Sequence, residues 1–276
     1  CRGTAGFAHV SCLAEQAKIL WEEAEANNLD LKVQETSWRR WDTCGLCEQR
    51  HHGVVNCALA WACWKTYLGR PETCRVFYWA MSVLGNGLDS AEHHEDALLV
   101  KEAELSMLRR RGGSGGSLLT VLTNLANTYS SLGRKEKALS MQREAYAAKL
   151  EVHGEEDIRT LGSAYNVANF LSDLYRFKEA KSLLRKSLPV ARRILGESNE
   201  VTLKMRSSYA EALYRDDGAT FDDLREAVTT MEDVEPIARR VFGGAHPLTE
   251  GTGISLKNAR AALRAREAPS SAREDK

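Results

Sequence analysis

Seven cysteines stand in this chain, all within its first 74 residues: Cys1, Cys12, Cys44, Cys47, Cys57, Cys63 and Cys74. Two form the pair Cys44-Gly-Leu-Cys47, and a third follows a histidine in His9-Val-Ser-Cys12. Thiolates three residues apart reach one tetrahedral ion because the turn between them aims both sulfurs inward, and an imidazole with a thiolate at that spacing does the same. Cys1 is a fifth candidate ligand. The same spacing also suits inert thiols buried along a helical turn. A disulfide scaffold fits less well, because the chain is long, helical in pattern and free of cysteine beyond Cys74. A reducing compartment, the cytoplasm or nucleus, is therefore expected, with zinc as the metal. Cys57, Cys63 and Cys74 have no ligand spacing and read as core thiols, and His51 and His52 read as surface residues.

The runs Cys1-Arg-Gly-Thr, His9-Val-Ser-Cys12-Leu13 and Cys44-Gly-Leu-Cys47 resemble the second half of a RING-CH (RING-variant) zinc finger. The resemblance covers roughly residues 1–50. It implies a two-zinc cross-brace in which Cys1, Cys44 and Cys47 serve one ion and His9 with Cys12 the other. It further implies a ubiquitin ligase that docks a ubiquitin-conjugating enzyme and carries no nucleophile of its own. Neither site reaches four ligands in this sequence, and the tryptophan that such fingers offer the conjugating enzyme falls near Gln16.

What positions these residues is helical. Leu13 to Asn28 carries Leu13, Ala17, Leu20 and Trp21 on one stripe, with glutamates largely opposite. Asp30 to Trp41 is less regular. Residues 53–71 contain an apolar helix with little polar face, which predicts that it is buried against another element. His93 and His94 open a helix at a solvated position. Arg109 to Ser117 is a glycine-rich connector. Its nominal GxSxG has no strand before it and so makes no nucleophile elbow.

Beyond the connector one pattern is written twice. Leu119, Asn124, Ala126, Ala138, Gly154 and Thr160 recur 42 residues later as Leu161, Asn166, Ala168, Ala180, Gly196 and Thr202. A third copy, lengthened around Asp216 to Thr220, ends at Gly243 and Thr249, and a divergent first copy precedes the pair. A fixed period of this size is the mark of a helical solenoid. Each copy predicts two helices. Small residues (Ala126, Ala168, Ala210, Ala138, Ala180) sit where helices approach. A glycine ends each copy, and Asp157, Asn199 and His246 take the next cap position, with Pro247 behind the last. The pattern resembles tetratricopeptide repeats of the kinesin light chain type, over about residues 72–265. Asn124 and Asn166 are candidates for the inner face. There a carboxamide could hold the backbone of an extended peptide, or equally bond a neighbouring turn of the scaffold. Arg206 reads as a solvated face residue.

The expected architecture is mostly α. A partial finger (1–52) and a connecting helix (53–71) precede tetratricopeptide-like repeats with a capping helix (72–266) and a disordered tail (267–276). Balanced charge, with 38 basic and 38 acidic residues, argues against nucleic acid as a bulk partner. No apolar run is long enough to span a membrane. The first residue is not methionine, so the chain reads as a fragment. The leading functional expectation is a ubiquitin ligase or ubiquitination adaptor whose repeats recruit a protein. The alternative is a non-enzymatic peptide-binding scaffold with a vestigial finger. Nothing in the sequence supports a stand-alone metabolic enzyme.

Overall fold

The structure is a computed structural model and describes residues 9–112 and 116–267. The chain divides into two compact units that meet in sequence at Arg134 and Lys135.

The first unit begins with α1 (Val10–Ala26), which buries Ala17, Trp21 and Ala24 at helical spacing. Asp30 then caps α2 (Leu31–Trp38), accepting from the backbone N–H groups of Lys32 (2.9 Å) and Val33 (3.0 Å). A 3-10 turn, Arg39–Trp41, continues it. The stretch that looked irregular in sequence is therefore helical, and its capping aspartate is the signal. After a short loop come α3 (Gly53–Tyr67), α4 (Arg75–Ser90), α5 (His94–Arg110) and α6 (Gly116–Ser131).

The core of this unit is aromatic. The Trp21 and Trp38 rings meet edge-to-face at 5.1 Å, Trp38 lies 5.4 Å from Trp79, and Trp41 lies 6.0 Å from Tyr67. Cys63, Val76 and Ala80 fill the spaces between them. Burial pushes the Cys63 and Cys57 thiols above the ordinary cysteine range, as core thiols require. α3 is buried against its neighbours, as expected, but along one side. It buries Asn56, Leu59, Ala60, Cys63 and Tyr67, while Val54 (77%), Trp61 (43%) and Leu68 (54%) remain exposed. Its packing partners are chiefly α4 and α1, which leaves the far face uncovered. Two glycines of α4 set the local spacing. A Cβ on Gly87 would stand 2.3 Å from the Ala60 Cβ, and one on Gly85 would stand 2.8 Å from Lys101 Cγ. Helix α3 thus packs within the first unit.

The turn between α4 and α5 puts Glu92 in the left-handed region, and the His93 N–H closes on Leu88 O at 3.0 Å. Gly133 with Arg134 N–H to Tyr129 O (2.8 Å) repeats this after α6, and Tyr175 with Arg176 N–H to Leu171 O (2.8 Å) repeats it in the second unit. All three have the six-to-one bond of a Schellman ending. The shared turn marks α4 and α5 as a helix pair of the same kind as the later ones.

The second unit contains α7 (Lys135–His153), α8 (Ile158–Asp173), α9 (Phe177–Leu195), α10 (Glu200–Tyr214), α11 (Phe221–Phe242) and α12 (Pro247–Glu267). Each helix packs on its successor, and α8, α10 and α12 also touch in order. Ala138, Ala168, Ala180, Ala210 and Ala227 are wholly buried at these contacts. Gly154, Gly196 and Gly243 all have φ near +80° (77°, 83° and 85°), a conformation in which a Cβ is strained. Asp157, Asn199 and His246 then accept from Arg159, Val201 and Leu248 N–H, as the spacing predicted. The lengthened turn is an aspartate turn, Gly218 N–H to Asp216 Oδ1 (3.1 Å), followed by a reciprocal cap between Thr220 and Asp223. Pro189 in α9 and Pro236 in α11 each sit seven residues before the closing glycine. Arg206 is not a solvated residue. It is 4% exposed and reaches Glu197 (3.1 Å) and Asp233 (3.3 Å), so its own helix face is interior.

Candidate binding clefts

Four of the five predicted metal ligands lie within the described residues. Cys1 lies outside the described residues. His9 is the exposed residue preceding α1, and Cys12 is exposed in the first turn of that helix. Cys44 and Cys47 share a knuckle tied by the Thr43–Arg50 bridge and by Cys44 N–H to Gln49 O (2.9 Å). The N–H groups of Cys47 and Leu46 hold the Cys44 thiol below the ordinary cysteine value, the latter at 3.4 Å from Sγ. Among the described residues no three of His, Cys, Asp and Glu come together in a way that could hold a metal ion. A structural zinc takes four donors. Among the described residues the cross-brace expected from the sequence is represented by this two-thiol knuckle.

The structure instead presents two polar clefts, one in each unit. In the first unit a cleft of about 460 Å³ opens between the knuckle loop and the first helices of the pairs, α4 and α6. Asn86, Asn124 and Asn127 line its helical wall, and Arg50, His51 and His52 its loop wall. Its floor is a buried network. Lys101, 2% exposed, donates to Asp89 and to Thr128 Oγ1 (3.0 Å), Thr128 donates to Asp89 (2.6 Å), and His94 Nδ1 stands 3.0 Å from the other Asp89 oxygen. Burial lowers the Lys101 and His51 pKa values, since a charge there loses water. His94 is therefore a partner in an ion network, against the expectation of a solvated histidine. Beside it, burial pushes Glu104 up to about 8, with Ser82 hydrogen-bonded to it.

In the second unit a cleft of about 620 Å³ lies along α8, α10 and the start of α12. Asn169 and Glu211 occupy the places, one and two repeats on, that correspond to Asn127. Both also tie one helix to the next. Ser208 Oγ donates to Asn169 Oδ1 (2.8 Å), and Ser255 Oγ donates to Glu211. Lys204 pairs with Glu200 at the rim (2.6 Å).

Of the two sequence candidates, Asn124 lies on the first cleft, whereas Asn166 is half-buried on α8 and does not line the second. The residues three positions on, Asn127 and Asn169, line both clefts. Lys101 and Asp89 escaped the sequence reading. Lys101 shares the apolar stripe of Ala97, Leu98, Leu105 and Leu108, and a cation inside such a stripe is the signal that a buried acid must face it.

Comparison with known proteins agrees with this fold. A family model for the tetratricopeptide repeat matches residues 118–159 and 160–199. Two solved structures of one Podosopora anserina protein, named for kinesin light chain and for its nearly identical tetratricopeptide-like repeats, superpose on most of the chain. A variant form gives a TM-score of 0.60 at 15% identity, covering 85% of this chain and 98% of that one. The other gives 0.59 at 15% identity, covering 86% and 99%. The fold is thus a mostly helical, tetratricopeptide-like α-solenoid. A clustered mitochondria protein homolog of Candida albicans is 29% identical over 104 residues, which is 38% of this chain and 8% of that protein's length. Among the described residues no helix is long and apolar enough to cross a membrane.

Proposed function

We propose that this chain is a non-enzymatic protein-binding scaffold whose helix pairs hold an extended peptide in polar clefts. The observation that carries it is the recurrence of a carboxamide at one register of the first helices, Asn86, Asn127 and Asn169, each lining a cleft. In Asn169 the carbonyl is used by the scaffold, and the amide N–H donors are the complement of a peptide carbonyl. This joins the two roles that sequence alone left equal: one end of the side chain fixes the helices and the other serves the ligand. The tetratricopeptide match and the solenoid superposition support the same reading. The ubiquitin-transfer reading is set aside, because its finger would need donors that the described residues do not bring together.

Selection of peptides from a displayed random library on the purified chain tests it. Selected peptides should lose about five-fold or more in affinity with Asn124→Ala plus Asn127→Ala, or with Asn169→Ala, since two or more hydrogen bonds of about 0.5–1.5 kcal/mol each are removed. Melting should change little for the first pair, whose side chains line the cleft. Unchanged affinity in both variants overturns the proposal.

A further inference from the structure

A second pocket of the first unit lies outside the repeats that the family model matches. It has a volume of about 280 Å³ and is walled by Trp38 and Trp79, with Val83 between them and Glu35, Asp42 and Arg39 at its edge. The two indoles pack against each other, 5.4 Å apart at 50°, and together form the aromatic wall of the recess. Their orientation is fixed from behind: Trp38 packs on Trp21 (5.1 Å) and Tyr67 (5.3 Å), and Trp79 on Trp21 (5.7 Å). A recess so supported does not have to be ordered when a ligand arrives.

We propose that this pocket binds a basic side chain, the guanidinium or ammonium group of an arginine or lysine in a partner peptide. Three observations converge on it. Indole faces attract cations through the ring quadrupole, most strongly among the aromatic side chains. The molecule uses this property on the same ring, for the Arg75 guanidinium lies 4.8 Å from the Trp79 centroid, held by Gln34. The lining is also biased: it holds the carboxylates of Glu35 and Asp42 and one guanidinium, that of exposed Arg39, while the Arg75 guanidinium lies against the Trp79 ring. Asp42 is kept in place by Thr43 Oγ1, which donates to it at 2.7 Å. An anionic side chain meets two carboxylates there, and a neutral one gains nothing from them. The pocket shares Asp42, Val83 and Asn86 with the first cleft, so a peptide lying in the cleft can place one side chain in the recess. In that sense the site rests on the scaffold reading. It gives the stretch from Glu35 to Asp42 a role that needs no metal.

The test uses the full chain labelled with nitrogen-15, following the indole N–H resonances, with Trp38→Phe and Trp79→Phe used for assignment. The ligand is N-acetyl-argininamide, compared with N-acetyl-citrullinamide, which keeps the shape and loses the charge. The Trp38 and Trp79 signals should move saturably with the arginine compound, and the citrulline compound should bind about five-fold more weakly or worse. Glu35→Gln, at an exposed position, should weaken arginine binding about two-fold or more. Equal binding of the two compounds, or movement of neither indole, overturns the proposal. The probe is a single residue, so its binding does not depend on the peptide clefts. Loss of peptide binding with argininamide binding intact marks failure of the scaffold reading alone.

Discussion

The first unit is filled by aromatic rings and a buried polar network, the second chiefly by alanine and leucine repeated in register. All six tryptophans lie at or before Trp79. Lys101 and Glu104 are each 2% exposed in the first unit, whereas the ladder of small residues in the second is wholly apolar. A repeated interior needs only nearest-neighbour fit, so each helix pair solves the same packing problem. The first unit has to reconcile helices of unequal length with a knuckle loop. It does so with large rings that fill irregular space and with polar groups that satisfy one another. The same irregularity creates its recesses. Binding features that do not repeat are therefore concentrated where the repeat fades.

The comparison can be broken most directly at the tight contact of α3 with α4. Gly87→Ala should destabilise the first unit by about 2–3 kcal/mol, because the new Cβ meets the Ala60 Cβ and the Asn56 carbonyl (3.1 Å) and the helices have to separate. Tryptophan emission during urea unfolding reads this unit alone. An unchanged midpoint would show that the contact is looser than described.

A second effect, at most about 1.4 kcal/mol for each pH unit, separates the units by pH. The pKa of Glu104 is near 8 when folded, against 4.5 for a free side chain. Between these values the folded protein keeps a proton that the unfolded chain has released, so stability falls as pH rises from about 5 to 8. The slope is up to about 1.4 kcal/mol per pH unit. His51, lowered by burial, acts in the opposite direction around and below 6.5, and Lys101 does so only on approach to 10.5. Glu104→Gln isolates the carboxyl: the downward slope in tryptophan-detected stability should disappear. A slope that persists would place the titration elsewhere.

The smallest effect has the opposite sign and belongs to the second unit. Gly162 lies in α8 with nothing within 4 Å of a Cβ built on it. Gly162→Ala should therefore stabilise by about 0.5–1 kcal/mol, seen as a higher midpoint in far-ultraviolet circular dichroism. Destabilisation would mean that α8 packs more closely than its neighbours imply.

What the sequence could show follows the same division. The closing glycines, the caps at Asp157, Asn199 and His246, and the longer turn at Asp216 are local chemistry, and each appears where the pattern places it. The register of the cleft is nearly legible: the repeat singles out Asn124, which lines the first cleft, and Asn166, whose place in the second is taken by Asn169 one helical turn on. In the first unit, contacts such as Trp21 with Trp79 join residues far apart in sequence, and no periodicity announces them. The cysteine pair identifies a turn correctly. Whether a turn becomes a metal site depends on donors that only the folded chain can supply.

Pro189 and Pro236 give the second unit one further property. Each lacks an amide hydrogen, so the helical bond to the carbonyl four residues earlier, on Arg185 and on Glu232, is absent. The interruption falls at the same height in α9 and in α11. Viewed as a mechanical element, each of these long helices is two stiff rods joined at a soft point, set equally far from the closing glycine. A bend imposed on either helix is therefore absorbed at its proline, ahead of the last two turns that lead to the closing glycine.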